Sequence, residues 1–157
     1  MSDSIDNREE SAGSLTYEDL VATIEIDKIL VKRLNMEGFI QPHRVPEYLD
    51  GDRQISLEIT HEFKLESHDE AESIIAIGLI QAKASIEEDI VFLIDVEILA
   101  EYDASEMDKP LTEEILLRFL QHNVPVNVWP YAREIIHTGT TRMGYPPLVI
   151  KPYRVFA

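Results

Sequence analysis

Four stretches of the sequence alternate apolar and polar residues with a period of two, and this alternation limits the folds open to the chain. The clearest stretch spans residues 55–66, where every odd-numbered position is apolar except His61. The others span residues 22–36, 73–84 and 90–102. A period of two places successive side chains on opposite faces of a strand. The sequence therefore predicts four strands, each with one buried face.

The links between these stretches predict how the strands pair. Short polar turns, 68–70 and 87–89, join the last three strands, which is typical of antiparallel hairpins. The link after the first strand, residues 37–53, is longer and contains aromatic and aliphatic residues. A connection of this length is expected to cross over the sheet or to carry a function.

A helical period replaces the alternation after residue 102. Thr112 is the predicted N-cap of a helix, followed by two glutamates in the favourable first turn. Pro125 is expected to interrupt this helix, and Pro130 to lie in the first turn of a second one. Gly144 is expected to end the second helix, and Pro152 favours an extended segment near the C-terminus.

These elements together predict an α+β fold. Its core would be a four-stranded antiparallel sheet followed by helices packed on one face. Residues 1–16 are polar and are expected to form a mobile acidic tail. Residues 17–157 would then form a single domain.

The charge balance excludes some functions. The chain carries 30 acidic and 14 basic residues, a formal charge of −16, which argues against binding nucleic acid. Residues 55–101 hold most of this excess and predict a strongly negative surface, either for solubility or for a basic partner. From Trp129 onwards, the sequence contains four basic residues and only one acidic residue, Glu134. The chain has no cysteine, which fits a cytoplasmic location.

Two C-terminal blocks carry a resemblance to a known family. The segment 127–134 reads Asn-Val-Trp-Pro-Tyr-Ala-Arg-Glu, and 144–148 reads Gly-Tyr-Pro-Pro-Leu, followed by Lys151 and Pro152. These blocks resemble the C-terminal signature of SecB, the bacterial protein-export chaperone. The order of four strands with a long first link is also similar, so the resemblance covers residues 20–157.

The resemblance implies an ATP-independent holding chaperone, assembled as a homotetramer. Such a protein binds unfolded preproteins and passes them to the SecA motor, which docks on an acidic face of the sheet. Glu37, Leu93 and Asp95 match the family's motor-contact positions. Arg33 replaces a further contact acid, and the family's C-terminal helix and acidic tail are missing or shortened. A SecB-like chaperone of a toxin–antitoxin pair is therefore the alternative.

The residues themselves suggest where an unfolded client would bind. Extended clients bury apolar side chains along grooves with loose sequence demands. Apolar residues of the long link and of the C-terminal segment are candidates to line such a groove, with ordinary core or oligomer contacts as the alternative. They are Phe39, Ile40, Tyr48, Leu49, Tyr145, Tyr153 and Phe156.

Catalytic, metal and cofactor sites are not predicted. Glu134 and His137 form half of a di-iron motif, but the second half is absent. The sequence has neither a phosphate-binding glycine loop nor a serine nucleophile motif. His61 is expected to be a core histidine. A small enzyme or small-molecule carrier with His61 or Asp95 in the sheet concavity is the alternative from another class.

Overall fold

The computed structural model describes residues 15–69 and 73–155. All four predicted strands lie within these ranges. The four predicted strands are present, and the last three are slightly longer than predicted. The first, predicted at 22–36, instead runs from Glu25 to Gly38, because residues 22 and 23 belong to a short helix that precedes it. The elements in chain order are helix α1 (Tyr17–Thr23), strand β1 (Glu25–Gly38), a short 3-10 turn (Pro42–Arg44), helix α2 (Val45–Tyr48), strands β2 (Ile55–Asp69), β3 (Ser73–Ile86) and β4 (Asp89–Asp103), and helix α3 (Glu113–Arg142).

The strands form one antiparallel sheet in the order β1-β4-β3-β2. The hairpins β2–β3 and β3–β4 confirm the antiparallel pairing that the short turns predicted. β1 pairs with β4 rather than with β2, so the long link crosses from one edge of the sheet to the other. As a result, β1 and β2 are the two edge strands.

The core lies between one face of the sheet and α3. In β4 the even-numbered side chains from Phe92 to Tyr102 are buried, whereas the odd-numbered ones are half-exposed on the other face. Tyr102 meets Phe119 of α3 edge to face, with ring centroids 4.8 Å apart. Full burial of each large aliphatic or aromatic side chain contributes about 1.5–3 kcal/mol. The prediction of helical packing on one face of the sheet is thus confirmed, and the opposite face, here called the open face, has no described helix on it.

The predicted break in the helix is wrong, because α3 continues through both Pro125 and Pro130. Thr112 caps this helix as expected, accepting a hydrogen bond from the amide of Ile115 at 3.3 Å. A proline inside a helix costs about 3 kcal/mol relative to alanine. Residues one turn apart form a fully buried stripe that spans both prolines, and their packing on the sheet outweighs this cost: Val124, Val128, Ala132, Ile136 and Thr140.

The N-terminal boundary of the domain also differs from the prediction. Leu15 is buried, and Thr16 caps the unpredicted helix α1 through a reciprocal capping box with Asp19. The last two residues of the predicted tail therefore belong to the folded domain, and residues 1–14 lie outside the described part of the chain. No helix within residues 15–69 and 73–155 combines the length and the hydropathy that a membrane crossing needs.

Candidate functional site: an apolar groove and the open sheet face

A groove runs between strand β2 and the C-terminal residues 148–154, here called the strap. Its volume is about 760 Å³, and it is open to solvent along its length. Alternate residues of β2 and Trp129 of α3 form one side, and the strap forms the other. The lining residues are Leu57, Ile59, His61, Trp129, Leu148, Val149, Ile150, Lys151, Pro152, Tyr153 and Arg154.

The helix α3 holds the strap in place through its main chain. The indole Nε1 of Trp129 donates to the carbonyl oxygen of Lys151 at 2.7 Å, and Nε of Arg133 donates to the carbonyl of Ile150 at 2.8 Å. At the start of the strap, the amide of Leu148 donates to the hydroxyl of Thr140 at 3.0 Å. These bonds satisfy backbone groups of the strap that form no hydrogen bonds within a strand or helix. The strap is therefore held in position although it does not belong to the sheet.

Four aromatic rings meet at one end of the groove. The ring of His61 lies 5.4 Å from Trp129 and 5.6 Å from both Phe63 and Tyr153, measured between centroids. Trp129 and Tyr153 are themselves 5.5 Å apart. These spacings are typical of edge-to-face aromatic packing. The expectation of a core histidine is therefore wrong, because His61 is exposed and joins β2 to the strap.

The structure brings only one of the predicted client-binding residues into this groove, namely Tyr153. Phe39 is 49% exposed just after β1, and Tyr48 and Leu49 are half-buried against the core. Ile40 is buried. Phe156 lies outside the described residues.

Tyr145 is likewise a structural residue rather than a groove residue. Its buried hydroxyl donates to the carbonyl of Ile40 at 2.6 Å and lies 3.2 Å from the carbonyl of Val91. A Cβ atom on Gly38 would come within 2.7 Å of that hydroxyl, so glycine is required for this approach. Burial raises the pKa of Tyr145. This contact ties the start of the crossover link to the end of α3.

The sequence did not indicate the residues that line most of the groove. Leu57 and Ile59 belong to the alternating pattern of β2 and look like ordinary core residues. Leu57 is nevertheless 51% exposed, because β2 is an edge strand that α3 covers only in part. Edge position follows from strand order, which the alternation alone does not determine.

The three predicted docking residues lie together on the open face. Glu37 of β1 is directly opposite Leu93 of β4, and Asp95 follows on the same face two residues later. The Asp95 carboxylate accepts a hydrogen bond from Nε2 of Gln81 at 2.8 Å. Asp95 and Leu93 are half-exposed, and Glu37 is exposed.

The open face is less acidic than the composition of β2–β4 predicted. Basic side chains of β1 reach over it and form three ion pairs: Arg33–Glu97 at 3.1 Å, Lys32–Glu66 at 3.0 Å and Lys28–Glu101 at 3.9 Å. The strand order explains this difference, because it places the three bases of β1 beside the acidic strand β4. Exposed pairs of this kind contribute at most about 1 kcal/mol each, so their main effect is on the surface potential.

The residues weighed for metal binding do not assemble into a site. Glu134 is exposed and accepts a hydrogen bond from the hydroxyl of Thr138 at 2.8 Å. Within the described ranges, no group of three histidine, aspartate or glutamate side chains is placed to hold a metal ion.

An antiparallel sheet backed by one long helix, with an apolar groove at its edge, is the architecture of a binding protein. The groove is open to solvent, unlike a closed catalytic pocket. The model of the SecB family, described as preprotein translocase subunit SecB, matches residues 18–155. The chain therefore belongs to the SecB family, whose members are chaperones and not enzymes.

Individual relatives agree with this assignment. The protein-export protein SecB of Dichelobacter nodosus is 26% identical over 129 residues, which cover 82% of this chain and 78% of that protein. The protein-export protein SecB of Neorickettsia sennetsu is 46% identical over 44 residues, only 28% of this chain and 27% of that protein.

A solved structure shows the same fold. It is a SecB-like chaperone of Mycobacterium tuberculosis in complex with a ChAD peptide from the HigA1 antitoxin. The two chains superpose with a TM-score of 0.72 at 20% identity, covering 88% of this chain and 96% of the other. The sequence-based assignments of family and fold class are thus confirmed.

Proposed function

We propose that this SecB family protein holds unfolded preproteins by binding extended segments in the groove between β2 and the strap. The groove supports this proposal most directly, since it exposes apolar and aromatic side chains along one side of an edge strand. Soluble proteins rarely leave such surfaces uncovered unless they bind a partner.

The geometry of β2 suits an extended client. Leu57, Ile59 and His61 alternate along the strand and point into the groove, so a client strand of the same period meets them with every second side chain. The outer edge of β2 has no described strand partner, and its backbone groups are available for pairing with a client. Backbone pairing with a shallow apolar groove gives binding with little sequence demand.

The direct test is a light-scattering assay of a chemically unfolded client that is diluted into buffer without nucleotide. We expect the protein at stoichiometric concentration to suppress aggregation. The variant Leu57→Glu should reduce this suppression severalfold, because it places a charge on the apolar wall. Equal aggregation with and without the wild-type protein would contradict the chaperone proposal.

The same strand supplies a matched control. Ile55 has nearly the same exposure as Leu57, 45% against 51%, and shares its face of the strand, but it does not line the groove. Ile55→Glu therefore introduces the same charge on the same strand and should leave client holding intact. Equal loss in both variants would indicate damage to β2 rather than to a groove.

We further propose that the open face is where a motor such as SecA takes over the client. Glu37, Leu93 and Asp95 support this role, because they form a compact, solvent-accessible patch, with Glu37 exposed and the other two half-exposed, on the side of the sheet opposite α3. The Arg33–Glu97 pair beside this patch removes part of its negative charge, so we expect weak docking.

Titrations with SecA and with an unfolded client test whether docking is separate from holding. Asp95→Arg should weaken only the binding of SecA, and Asp108→Arg, in the exposed loop before α3, is the control for the same change in charge. Loss of both binding activities would contradict a separate docking face. Loss of neither would favour the alternative, a chaperone for an antitoxin, over one for exported proteins.

We also propose that the protein assembles as a homotetramer through β1 in the cytoplasm. β1 leaves large apolar side chains exposed along an edge that pairs with no other described strand, as expected of a strand that pairs with another copy: Ile26 49%, Leu30 46%, Val31 46%, Leu34 43% and Met36 37%.

A further inference from the structure

The strap lies beside an edge strand with which it does not pair. The outer edge of β2 has no described strand partner, and no main-chain hydrogen bond joins residues 148–154 to another described segment. The strap reads Leu-Val-Ile-Lys-Pro-Tyr-Arg, and its β-branched residues favour a strand conformation. An unpaired edge is a template for any extended segment that comes near it. The open groove therefore requires contacts that keep the strap apart from β2.

The two walls of the groove are both apolar. Leu57 on β2 is 51% exposed, Val149 on the strap is 69% exposed, and both line the groove. Contact between such surfaces removes them from water and is favourable. The strap already meets β2 at one end, where the ring centroid of Tyr153 lies 5.6 Å from His61 and 6.1 Å from Phe63. Closure of the groove would extend this contact along the strand.

Two side chains of α3 hold the strap away from such closure. Trp129 and Arg133 are one helical turn apart and share a face of the helix. They donate to consecutive carbonyls of the strap, those of Lys151 and Ile150, at 2.7 and 2.8 Å. Adjacent residues of a regular strand direct their main-chain groups to opposite edges. The strap therefore cannot keep both bonds and pair with β2 as a regular strand.

Both donors lie where solvent competes little for the bonds. Trp129 is buried and Arg133 is half-buried, and the bond from the guanidinium is charge-assisted. The amide of Leu148 is bound separately to the buried hydroxyl of Thr140, so the start of the strap stays on α3. Residues 149–154 thus form a tethered segment whose distance from β2 depends on two side chains.

From this geometry we infer that Arg133 and Trp129 are positioning residues that hold the groove open for a client. When the bond from Arg133 is lost, the strap closes onto β2 as an additional strand and occupies the edge that a client needs. Trp129 also lines the groove, whereas Arg133 is not among the lining residues and acts through the strap. This inference rests on the proposed client-holding function and identifies a residue on which it depends.

Hydrogen–deuterium exchange of the protein without a client tests the closure directly. Arg133→Met removes the donor and keeps an unbranched apolar stem. We expect the amides of the outer edge of β2 to exchange about tenfold more slowly in this variant, a factor that the loss of one charge-assisted hydrogen bond can produce. A purely structural role of Arg133 would loosen the strap and predicts the opposite change. Equal or faster exchange at these amides would overturn the inference.

Client affinity should fall together with the exchange rate. Fluorescence anisotropy with a labelled synthetic peptide of alternating apolar and polar residues measures it. Arg133→Met should bind this peptide about tenfold more weakly, because only the open fraction of the protein is competent to bind. Unchanged affinity would contradict the inference.

Two further substitutions distinguish the lost bond from a lost charge. Arg142→Met removes the same charge from the exposed last turn of α3, and it should leave both measurements unchanged. Equal effects of Arg142→Met and Arg133→Met would overturn the inference. Arg133→Lys restores a charged donor and should recover part of the peptide affinity. If Arg133→Met fails to fold, Arg133→Gln provides a shorter polar side chain, and the same two changes are expected of it.

The outcomes also separate this inference from the proposed function. If the wild type suppresses client aggregation but Arg133→Met changes neither exchange nor affinity, only the positioning role is wrong. If the wild type neither binds the peptide nor suppresses aggregation, the client-holding function is contradicted, whereas the exchange experiment still tests whether the strap closes.

Discussion

Tyr145 illustrates, at the scale of single residues, how far sequence reasoning reaches. Its aromatic side chain in the C-terminal segment made it a candidate for client binding. The structure instead places its hydroxyl on the carbonyl of Ile40, 105 residues away in the sequence. Such a contact depends on the path of the crossover link, which no local pattern contains. Tyr153 has the same chemistry and does line the groove.

Tyr145→Phe should lower the free energy of unfolding by about 1–2 kcal/mol, because the buried carbonyl of Ile40 loses the hydrogen bond from Tyr145. Client holding should be unchanged, because Tyr145 does not line the groove. Urea denaturation measures the change in stability. Tyr131→Phe removes a hydroxyl from a tyrosine that is 49% exposed, and it should shift stability by less than about 0.5 kcal/mol. An equal effect of both substitutions would contradict the assigned contact.

The buried hydroxyl of Tyr102 should make the free energy of unfolding depend on pH in the alkaline range. Burial raises its pKa to about 12, partly offset by a hydrogen bond from Asn127. The unfolded chain ionises this group near pH 10 while the folded protein keeps it neutral. Its contribution to stability is therefore complete below about pH 10 and is lost as the pH rises towards about 12.

Urea unfolding midpoints measured from neutral pH to about pH 12 test this dependence. The wild-type midpoint should fall above about pH 10, and the fall should be shallower in Tyr102→Phe. Part of it should remain in the variant, since burial also raises the pKa of Tyr17 and Tyr145. An identical pH dependence in both proteins would show that Tyr102 does not contribute.

At the scale of elements, the strands were predictable and the long helix was not. Each strand alternates apolar and polar residues with a period of two, and this pattern does not depend on the order in which the strands pair. The sequence therefore located the strands within a few residues. The continuity of α3 depends on how its buried stripe packs on the sheet, and two prolines argued locally against it. The short helix α1 depends on a capping box of two side chains, Thr16 and Asp19, that gave no periodic signal.

The exposed Pro130 allows a sharp test of this continuity. In the interior of a helix, Pro130→Ala restores a backbone donor and removes a clash, which is worth about 3 kcal/mol. Greater freedom of the unfolded chain offsets about 1 kcal/mol of this. We therefore expect the variant to be more stable by about 2 kcal/mol in urea denaturation.

The opposite sign is expected if a second helix begins at Pro130, as the sequence suggested. Proline is favourable in a first turn, where the amide has no partner in any case. Pro130→Ala would then lower stability. Pro125→Ala is a useful comparison, because Pro125 is buried and its replacement also leaves a void, so its gain should be smaller.

At the scale of the whole molecule, the two edges of the sheet differ in what covers them. The strap partly covers β2 and leaves the groove, whereas β1 has only one half-buried residue, Ile29, and no segment within residues 15–69 and 73–155 covers its outer edge in the same way. Three bases of β1 are engaged in ion pairs within the chain, so they do not shield its apolar side chains from another copy. The sequence placed apolar and basic residues together on this strand, but only the strand order shows that it is an edge.

A lysine introduced into β1 should therefore disrupt the proposed tetramer. Leu34 is 43% exposed and lies opposite Val96 in the middle of β1, so Leu34→Lys would bring two like charges together when two copies of this strand pair. Light scattering coupled to size exclusion should give a tetramer for the wild type and a smaller species for the variant. Ile55→Lys makes the same change on the other edge strand, β2, at 45% exposure and should keep the wild-type mass. A wild-type monomer at micromolar concentration would rule out assembly, and an unchanged mass in Leu34→Lys would mean that the copies associate through a surface other than β1.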